Sequence, residues 1–389
     1  MIQVPEAIKL IEDSIAISPA KKVEMYDSLG YVLAKDIKAP INMPPFRQSA
    51  MDGYAFINNK INEYTVIDEI QAGGHKEIQI NTGEAVRIFT GAFVPDLADT
   101  IVIQEHTTRK DNQLIIEKIP NKGSNIRPVG EQVKKGEIVL QKGEVINEAT
   151  IGFLAGLGIS KVKVYNIPKV CILTTGNELM KPGKKLEPGK IYESNSLMLK
   201  AALKKVGLNK VEIFRVKDAL KKTKKIIKKC LKEFDIVLIS GGISVGDYDY
   251  VKESLEDNKV EQVFYKINQK PGKPLFFGKK DNRVVFALPG NPASSLTCFY
   301  IYVLPALKKM MGHKHIHLTK NKVKVSKELL NTTGKSLFLK AMLEDGKIRV
   351  LDGQQSSMLK SFAMSNALIY IPHDKESVKK NEEVECYKL

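Results

Sequence analysis

At 389 residues, with 43% hydrophobic and 27% charged residues, the chain has the composition of a soluble globular protein too long for one ordinary core. A net charge of +17 suggests nucleic acid, yet only seven of the 61 basic residues are arginine, the preferred bidentate reader of phosphates and bases. The balance reads first as a compositional lysine bias and second as a field drawing small anionic substrates, with nucleic acid set aside. Cys171, Cys230, Cys298 and Cys386 are far apart and form no Cys-x-x-Cys pair, which argues against zinc and disulfides and suits a reducing cytoplasm. The longest apolar runs are strand-sized, too short for a bilayer, and the opening Met1-Ile2-Gln3-Val4-Pro5-Glu6 predicts no secretory signal.

In chain order, Ala7, Ile8, Leu10, Ile11 and Ile15 recur on a helical period, and a second helix is expected over Glu24 to Leu33. Pro40, Pro44 and Pro45 then break the chain. From Tyr54 to Ile119, short β-branched runs alternate with turn signals such as Ala72-Gly73-Gly74 and Lys110-Asp111-Asn112, which predicts an all-β module. A helix over Glu148 to Leu157 follows, so the module reads as an insertion into a domain whose halves flank it. From Lys169 strands alternate with helices: Val170 to Leu173, Ile236 to Ile239 and Val284 to Leu288 as buried strands, Leu197 to Val206, Lys217 to Leu231, Val251 to Glu256 and Ala293 to Leu307 as helices. That alternation predicts a doubly wound parallel sheet. Short strands around Lys322 to Val325, Phe338 to Leu343, Lys347 to Leu351 and Ala367 to Ile371 predict a small β-rich carboxyl-terminal domain. The expected fold is multidomain α/β, divided into 1–43 with 124–165, the inserted 44–123, the central 166–313 and the terminal 314–389.

Chemistry concentrates at the predicted strand ends. Ser240-Gly241-Gly242-Ile243-Ser244-Val245-Gly246 and Leu288-Pro289-Gly290-Asn291-Pro292 are glycine turns whose amides can close on an anion, with a helix N-terminus beyond the second. Lys270 and Lys273, on a Lys-Pro-Gly-Lys-Pro turn between them, can neutralise an oxyanion, with Lys266 nearby in sequence. Asp249, beside Asp247 in the first loop, suits a divalent cation. Glu178 follows a strand in Thr175-Gly176-Asn177-Glu178, at the edge where open α/β sheets bind ligands. Asp218 reads as a helix N-cap, and Asn291-Pro292 as a helix start that places Ser294 and Ser295 in the first turn. In the amino-terminal part, Asp52-Gly53 and Thr90-Gly91 are small-residue turns that name no activity alone.

Together, Pro44-Pro45-Phe46-Arg47-Gln48-Ser49-Ala50-Met51-Asp52-Gly53-Tyr54, Thr90-Gly91-Ala92 and the two glycine turns resemble, in order and spacing, the molybdopterin molybdenumtransferase family, relatives of the E domain of gephyrin. The resemblance spans nearly the whole chain. It implies an elongated homodimer of four-domain subunits, with the cleft between the molybdopterin-binding sheet domain of one and the β module of the other. The implied reaction inserts molybdate into adenylylated molybdopterin, releasing AMP, with Mg²⁺ required and the molybdopterin adenylyltransferase as a possible partner. Residue by residue it assigns Asp52 and Thr90 to the β-module side of the cleft. Glu178, Asp218 and Asp249 fall to substrate or Mg²⁺ handling, with Glu178 and Asp249 as the Mg²⁺ pair. Lys266, Lys270 and Lys273 form the basic set, the last two for molybdate. Gly241, Gly242, Ser244, Gly246, Pro289, Gly290, Asn291, Pro292, Ser294, Lys340 and Ser357 fall to substrate binding. This chain departs from the family in carrying Lys340 for a common arginine and Gln132 for a common aspartate, and in lacking glycines in Gln355-Ser356-Ser357-Met358. Two other readings follow from the same kinship: a receptor scaffold, and the adenylylating reaction itself, which needs only the central fold.

Overall fold

The structure, a computed structural model, describes residues 1–389 except His75 and 244–249. Its central sheet has six strands in the order Val211–Val216, Val170–Thr175, Ile236–Ser240, Arg283–Leu288, Phe276–Lys280, Glu261–Tyr265. The first four are mutually parallel, as the strand–helix alternation predicts. The fifth, 276–280, runs antiparallel to both its neighbours, so the sheet is mixed. The cause is local: only Asp281 and Asn282 separate 276–280 from 283–288, and a two-residue connection can join only antiparallel neighbours.

Both faces of this sheet are covered, which is why its strands read as continuous apolar runs. Ile172, Leu238 and Phe286 point into one core with Leu199 and Leu203 of helix Asn195–Lys205 and Leu304 of helix Leu304–Met310. Their neighbours Leu173, Val237 and Val285 point into a second core, with Ile227 and Leu231 of helix Leu220–Glu233 and Leu255 of helix Val251–Asp257. The parallel strands therefore end together, at Thr175, Val216, Ser240 and Leu288, along one edge.

The first helix, Val4–Ser14, carries Pro5 in its first turn and buries Val4, Ala7 and Ile11. This stripe joins the first core of the central sheet, and Lys309 Nζ reaches Glu12 O at 2.6 Å. No helix covers 24–33: only a 3₁₀ turn, Met25–Ser28, forms there. Ala20–Glu24 instead pairs antiparallel with Lys161–Tyr165, and Val32 and Leu33 bridge to Val145 and Val164. These distant partners override the local helical spacing. Ile37–Lys38 likewise pairs with Ile138–Leu140, and Gln48–Ser49 with Ile126–Arg127, so the chain on either side of the β module is stitched together. The module is one six-stranded sheet in the order Thr100–Ile103, Gly53–Phe56, Glu84–Ile88, Glu63–Ile70, Gln113–Ile116, Thr107–Lys110.

The carboxyl-terminal sheet contains Ser336–Glu344, Lys347–Val350, Lys320–Val325 and Ala367–Ile371, together with Glu383–Lys388, which the sequence reading missed. At its edge Gln269–Lys270 pairs in parallel with 336–344, matching Lys270 to Leu337. The lysine turn of the central region is thus bonded to the terminal sheet.

Past the helix Leu304–Met310, burial and the nearby Lys308 push the His313 imidazole down to about 4 from 6.5. The unfolded chain binds more protons across that window, so stability is expected to rise with pH from about 4 to 6.5. Thermal unfolding across this range is the check: His313→Asn should flatten the dependence, and an unchanged slope would remove His313 from it.

Candidate active site

A cleft of about 930 Å³ lies at the carboxyl edge of the parallel strands. Its floor is made by the strand ends at Thr174, Thr175 and Ser240 and by the two glycine turns, through Gly241 and Gly242 and through Pro289 and Gly290. Gly241 has φ +92°, and a Cβ there would lie 2.7 Å from Thr175 O, so this turn presses backbone against backbone and excludes side chains.

Asn195 locks the floor. Its Nδ2 donates to Ser240 Oγ at 2.8 Å and to Gly290 O at 2.7 Å, tying the two turns together from the start of helix 195–205. The Gly290 carbonyl fixes the amide orientation, and Oδ1 is buried with no partner among the described residues. Beneath it the buried carboxylate of Glu193 accepts from Ser196 N at 2.7 Å and from Ser196 Oγ, with Arg215 at 3.5 Å. Neither Asn195 nor Glu193 stood out in the sequence. The Asn195-Ser196 pair two residues after an acid was their only signal.

The acidic rim differs from its predicted form. Helix Leu220–Glu233 starts at Ala219 with no side-chain cap, so Asp218 is not its N-cap. The Asp218 carboxylate turns to the cleft, where it accepts from Thr175 Oγ1 and, at 3.0 Å, from Asn177 N. It thereby clasps the loop that carries the exposed Glu178, which also lines the cleft.

Lys270 and Lys273 also line the cleft, both exposed and both without an ion pair among the described residues. Their turn is braced from below. Gln269, 1% exposed, donates Nε2 to Pro271 O at 2.9 Å and accepts from Tyr302 Oη, which fastens the turn to the π-helical segment Phe299–Val303. Gly272 has φ +92° and packs so closely that a Cβ would meet Cys298 Sγ at 2.6 Å. The loop 353–358 of the carboxyl-terminal region supplies Gln354, Gln355 and Ser356 to the same cleft.

Ser356 changes the reading of the second turn. Asn291 stands at the N-cap of helix Pro292–Cys298, but its side chain makes no cap bond and reaches Ser356 Oγ at 2.8 Å instead. The first amides of the helix, Ala293 N and Ser294 N, donate to Ser356 O at 3.1 and 3.3 Å. The helix start is therefore capped by a carbonyl from the terminal region, and these two amides are not free for an anion. Ser294 still lines the cleft and Pro292 opens the helix beside it, while Ser295 is buried.

Several other predicted residues lie apart from the cleft. Ser357 is exposed and does not line it; its neighbour Ser356 does. Lys340 is 2% exposed, and its ammonium donates to Gly353 O, Gln355 O and Met358 O at 2.6, 3.3 and 2.9 Å. It holds the 353–358 loop and points no charge into the cleft. Lys266, in the left-handed region at φ 69°, sets Nζ 4.8 Å above the Tyr265 ring and does not line the cleft. Asp52 and Thr90 meet each other on the β module: Asp52 Oδ1 accepts from Thr90 N and Oγ1, both at 2.7 Å. The Thr90 amide bond, then its hydroxyl and the Arg87 charge, hold the Asp52 carboxyl below its usual range. Ser244, Gly246 and Asp249 fall outside the described residues.

The fold and site define a class: a multidomain α/β protein whose open sheet presents a cleft lined by glycine turns and exposed lysines at its carboxyl edge. Family models match in three consecutive stretches: the MoeA N-terminal region (domain I and II) over 2–158, a probable molybdopterin binding domain over 171–309, and the MoeA C-terminal region (domain IV) over 322–389. A curated relative from Staphylococcus epidermidis, named molybdopterin molybdenumtransferase, is 36% identical over 95% of this chain and 91% of its own. One of the same name from Haemophilus influenzae is 34% identical over 97% and 95%. Two solved structures of the molybdopterin biosynthesis MoeA protein from Pyrococcus horikoshii have TM-scores of 0.86 and 0.83 at 29% and 32% identity. Each covers 100% of this chain, against 99% and 100% of its own. The chain belongs to the molybdopterin molybdenumtransferase family, transferases of molybdenum cofactor biosynthesis.

Proposed function

We propose that this chain inserts molybdate into adenylylated molybdopterin, releasing AMP and yielding molybdenum cofactor. The observation that carries the reading is that two exposed lysines, without an ion pair among the described residues, line one cleft with two glycine turns. The substrate is a pyrophosphate and molybdate is a dianion, so the site must neutralise charge more than it must supply a nucleophile. Attack by water on the pyrophosphate breaks one P–O bond of the bridge and gives AMP and the molybdopterin phosphate; attack by a molybdate oxygen gives a phosphate–molybdate anhydride first, which water then hydrolyses to the same products. In this reading Lys270 and Lys273 hold the oxyanion, Gly241, Gly242 and Gly290 let the phosphates approach the backbone, and Asp218 keeps the Glu178 loop in place.

Among the described residues no group of three His, Cys, Asp or Glu side chains is placed to hold a metal ion. Glu178 is an exposed carboxylate in the lining of the cleft and suits Mg²⁺, which keeps most of its water and takes few protein ligands. Glu178 with Asp249 would hold it, and the ion would supply charge neutralisation at the phosphates. Asp52 and Thr90 lie together on the surface of the β module, which favours a role toward a second subunit's cleft and hence a homodimer. The four-part division at 43/44, 123/124, 165/166 and 313/314 belongs to the same proposal, as do the adenylyltransferase as partner and a cytoplasmic location. No helix of the described residues is long and apolar enough to cross a membrane.

The test is AMP release by the purified protein from adenylylated molybdopterin, with molybdate and Mg²⁺ each added and omitted. Release that needs both, and that is lost in Asp249→Ala, supports the transferase. Nucleotide binding without release, with molybdate or tungstate, would leave a binding or scaffold role instead.

A further inference from the structure

On the β module, the stretch Arg87-Ile88-Phe89-Thr90 holds the Asp52-Gly53 turn from two sides. Arg87 faces Tyr54 across the antiparallel pair of Gly53–Phe56 and Glu84–Ile88. Its guanidinium lies 5.0 Å from the centre of the Tyr54 ring and 4.7 Å from that of Phe89. Nη1 donates to Gly53 O at 3.0 Å and Nη2 to Gln104 Oε1 at 2.6 Å. Gln104 in turn donates its backbone N–H to Asp52 O at 3.1 Å, while Thr90 clasps the carboxylate at Oδ1. A Cβ at Gly53 would lie 1.8 Å from Val102 O, so the turn is also pressed onto the neighbouring strand.

So much bracing adds nothing to a core. The Asp52 carboxylate is at the surface, its Oδ2 has no partner among the described residues, and Arg87 is only half-buried. Ordering charged side chains at a surface costs entropy and returns little stability. Only seven of the chain's 61 basic residues are arginine, so the lysine bias makes a lysine the commoner outcome at any one basic position. A lysine could not do the same work, because it lacks the planar fork that reaches two acceptors while stacking on two rings. A carboxylate oxygen held still and left unpaired is preorganised for a group outside its own subunit.

We propose that Arg87 is a positioning residue for the transferase reaction, fixing the Asp52-Gly53 turn so that the unpaired Asp52 Oδ2 is presented to substrate in a second subunit's cleft. The inference rests on the reading that Asp52 and Thr90 serve that cleft. Arg87 acts through the turn: its bonds go to Gly53 O and Gln104. After the two Thr90 bonds, its charge helps hold the Asp52 carboxyl below the usual range. Without the fork the turn can rock about its remaining bonds, and a misplacement of about 1 Å costs on the order of 10²-fold in rate.

The test is a double-mutant cycle on AMP release, with the full chain and in single turnovers so that slow variants stay above background. Arg87→Met is expected to lower the rate about 10²-fold while shifting the unfolding temperature by less than about 5 °C. Arg87→Lys keeps the charge without the fork and should reach less than about a third of the parent rate. Beside Asp52→Ala, Arg87→Met should cost less than about threefold, because the group it positions is gone. An arginine with a merely structural role would cost the same factor in both backgrounds. Should Arg87→Met fail to fold, Gln104→Leu, which removes the Nη2 acceptor, takes its place in the cycle. A single variant within about threefold of the parent, or a cost undiminished beside Asp52→Ala, overturns the proposal. Mixed dimers separate it from the reading beneath it. Protomers with Asp52→Ala, paired with protomers carrying Lys270→Ala and Lys273→Ala, should regain activity because one composite site is intact, and Arg87→Met protomers should do the same. Recovery with neither removes the shared cleft and the proposal with it. Recovery with Asp52→Ala alone keeps the cleft and removes Arg87 from it.

Discussion

Replacing Lys270 and Lys273 together by alanine is expected to lower kcat/KM for AMP release by about 10³-fold or more while leaving the unfolding temperature nearly unchanged. Both side chains are exposed and make no hydrogen bond or ion pair among the described residues, so their loss removes charge from the cleft without opening a cavity. What the fold invests is in the turn beneath them. Gln269 fastens Pro271 O to Tyr302, Gly272 fits against Cys298, and Lys270 is registered to Leu337 of the terminal sheet. An ammonium held on such a turn loses little entropy when it meets a dianion, and it is preorganised for charge that grows in the transition state. Single replacements should each cost about 10²-fold, with the pair less than multiplicative because both face one oxyanion. A double variant within tenfold of the parent would remove the lysine turn from the site.

Lys340→Met is expected to act differently, by raising KM about tenfold with a smaller change in kcat, and by loosening the 353–358 loop. The Lys340 ammonium is buried among the carbonyls of Gly353, Gln355 and Met358, and that burial lowers its pKa. Gln354 reinforces the cradle, accepting from Lys340 N at 3.0 Å and donating to Lys340 O at 2.9 Å. Methionine keeps the bulk but leaves three carbonyls without their donor, at roughly 1–3 kcal/mol for each that water cannot reach. The consequence reaches the cleft through Ser356, whose carbonyl caps helix 292–298 and whose hydroxyl receives Asn291. Amide exchange in 353–358 is the readout that separates positioning from direct contact. Faster exchange with a raised KM supports positioning, and Lys340→Arg should restore both because it keeps donors in the cradle. Unchanged exchange with a collapsed kcat would make Lys340 a ligand of the substrate.

How much of this was legible beforehand follows from where each signal lives. Glycine turns at strand ends, and lysines on a proline-bounded turn, declare themselves within a few residues, and the cleft does assemble from Gly241, Gly290, Lys270 and Lys273. Asp218 was visible as a residue of interest, yet its bonding was misassigned. The nearest amides belong to a helix that starts at Ala219, and its actual partners, Thr175 and Asn177, are 43 and 41 residues away. Asn195 and Ser356 were invisible because their partners, Gly290 and Asn291, lie 95 and 65 residues away. The helix expected over 24–33 failed for the same reason, since distant strands claim its residues.

The sequence by itself determined the layered α/β centre, the all-β module ahead of it, the family, and the glycine turns and lysines that meet in the cleft. These rest on periodicity, turn residues and short motifs, which are local properties of the chain. Only the tertiary structure decided that Lys340 props a loop, that Ser356 caps a helix from another region, that Asn195 joins the two glycine turns, and that Arg87 braces the Asp52 turn. Burial and bond partners are set by what the rest of the chain brings to a residue, and neighbours in sequence carry no record of that.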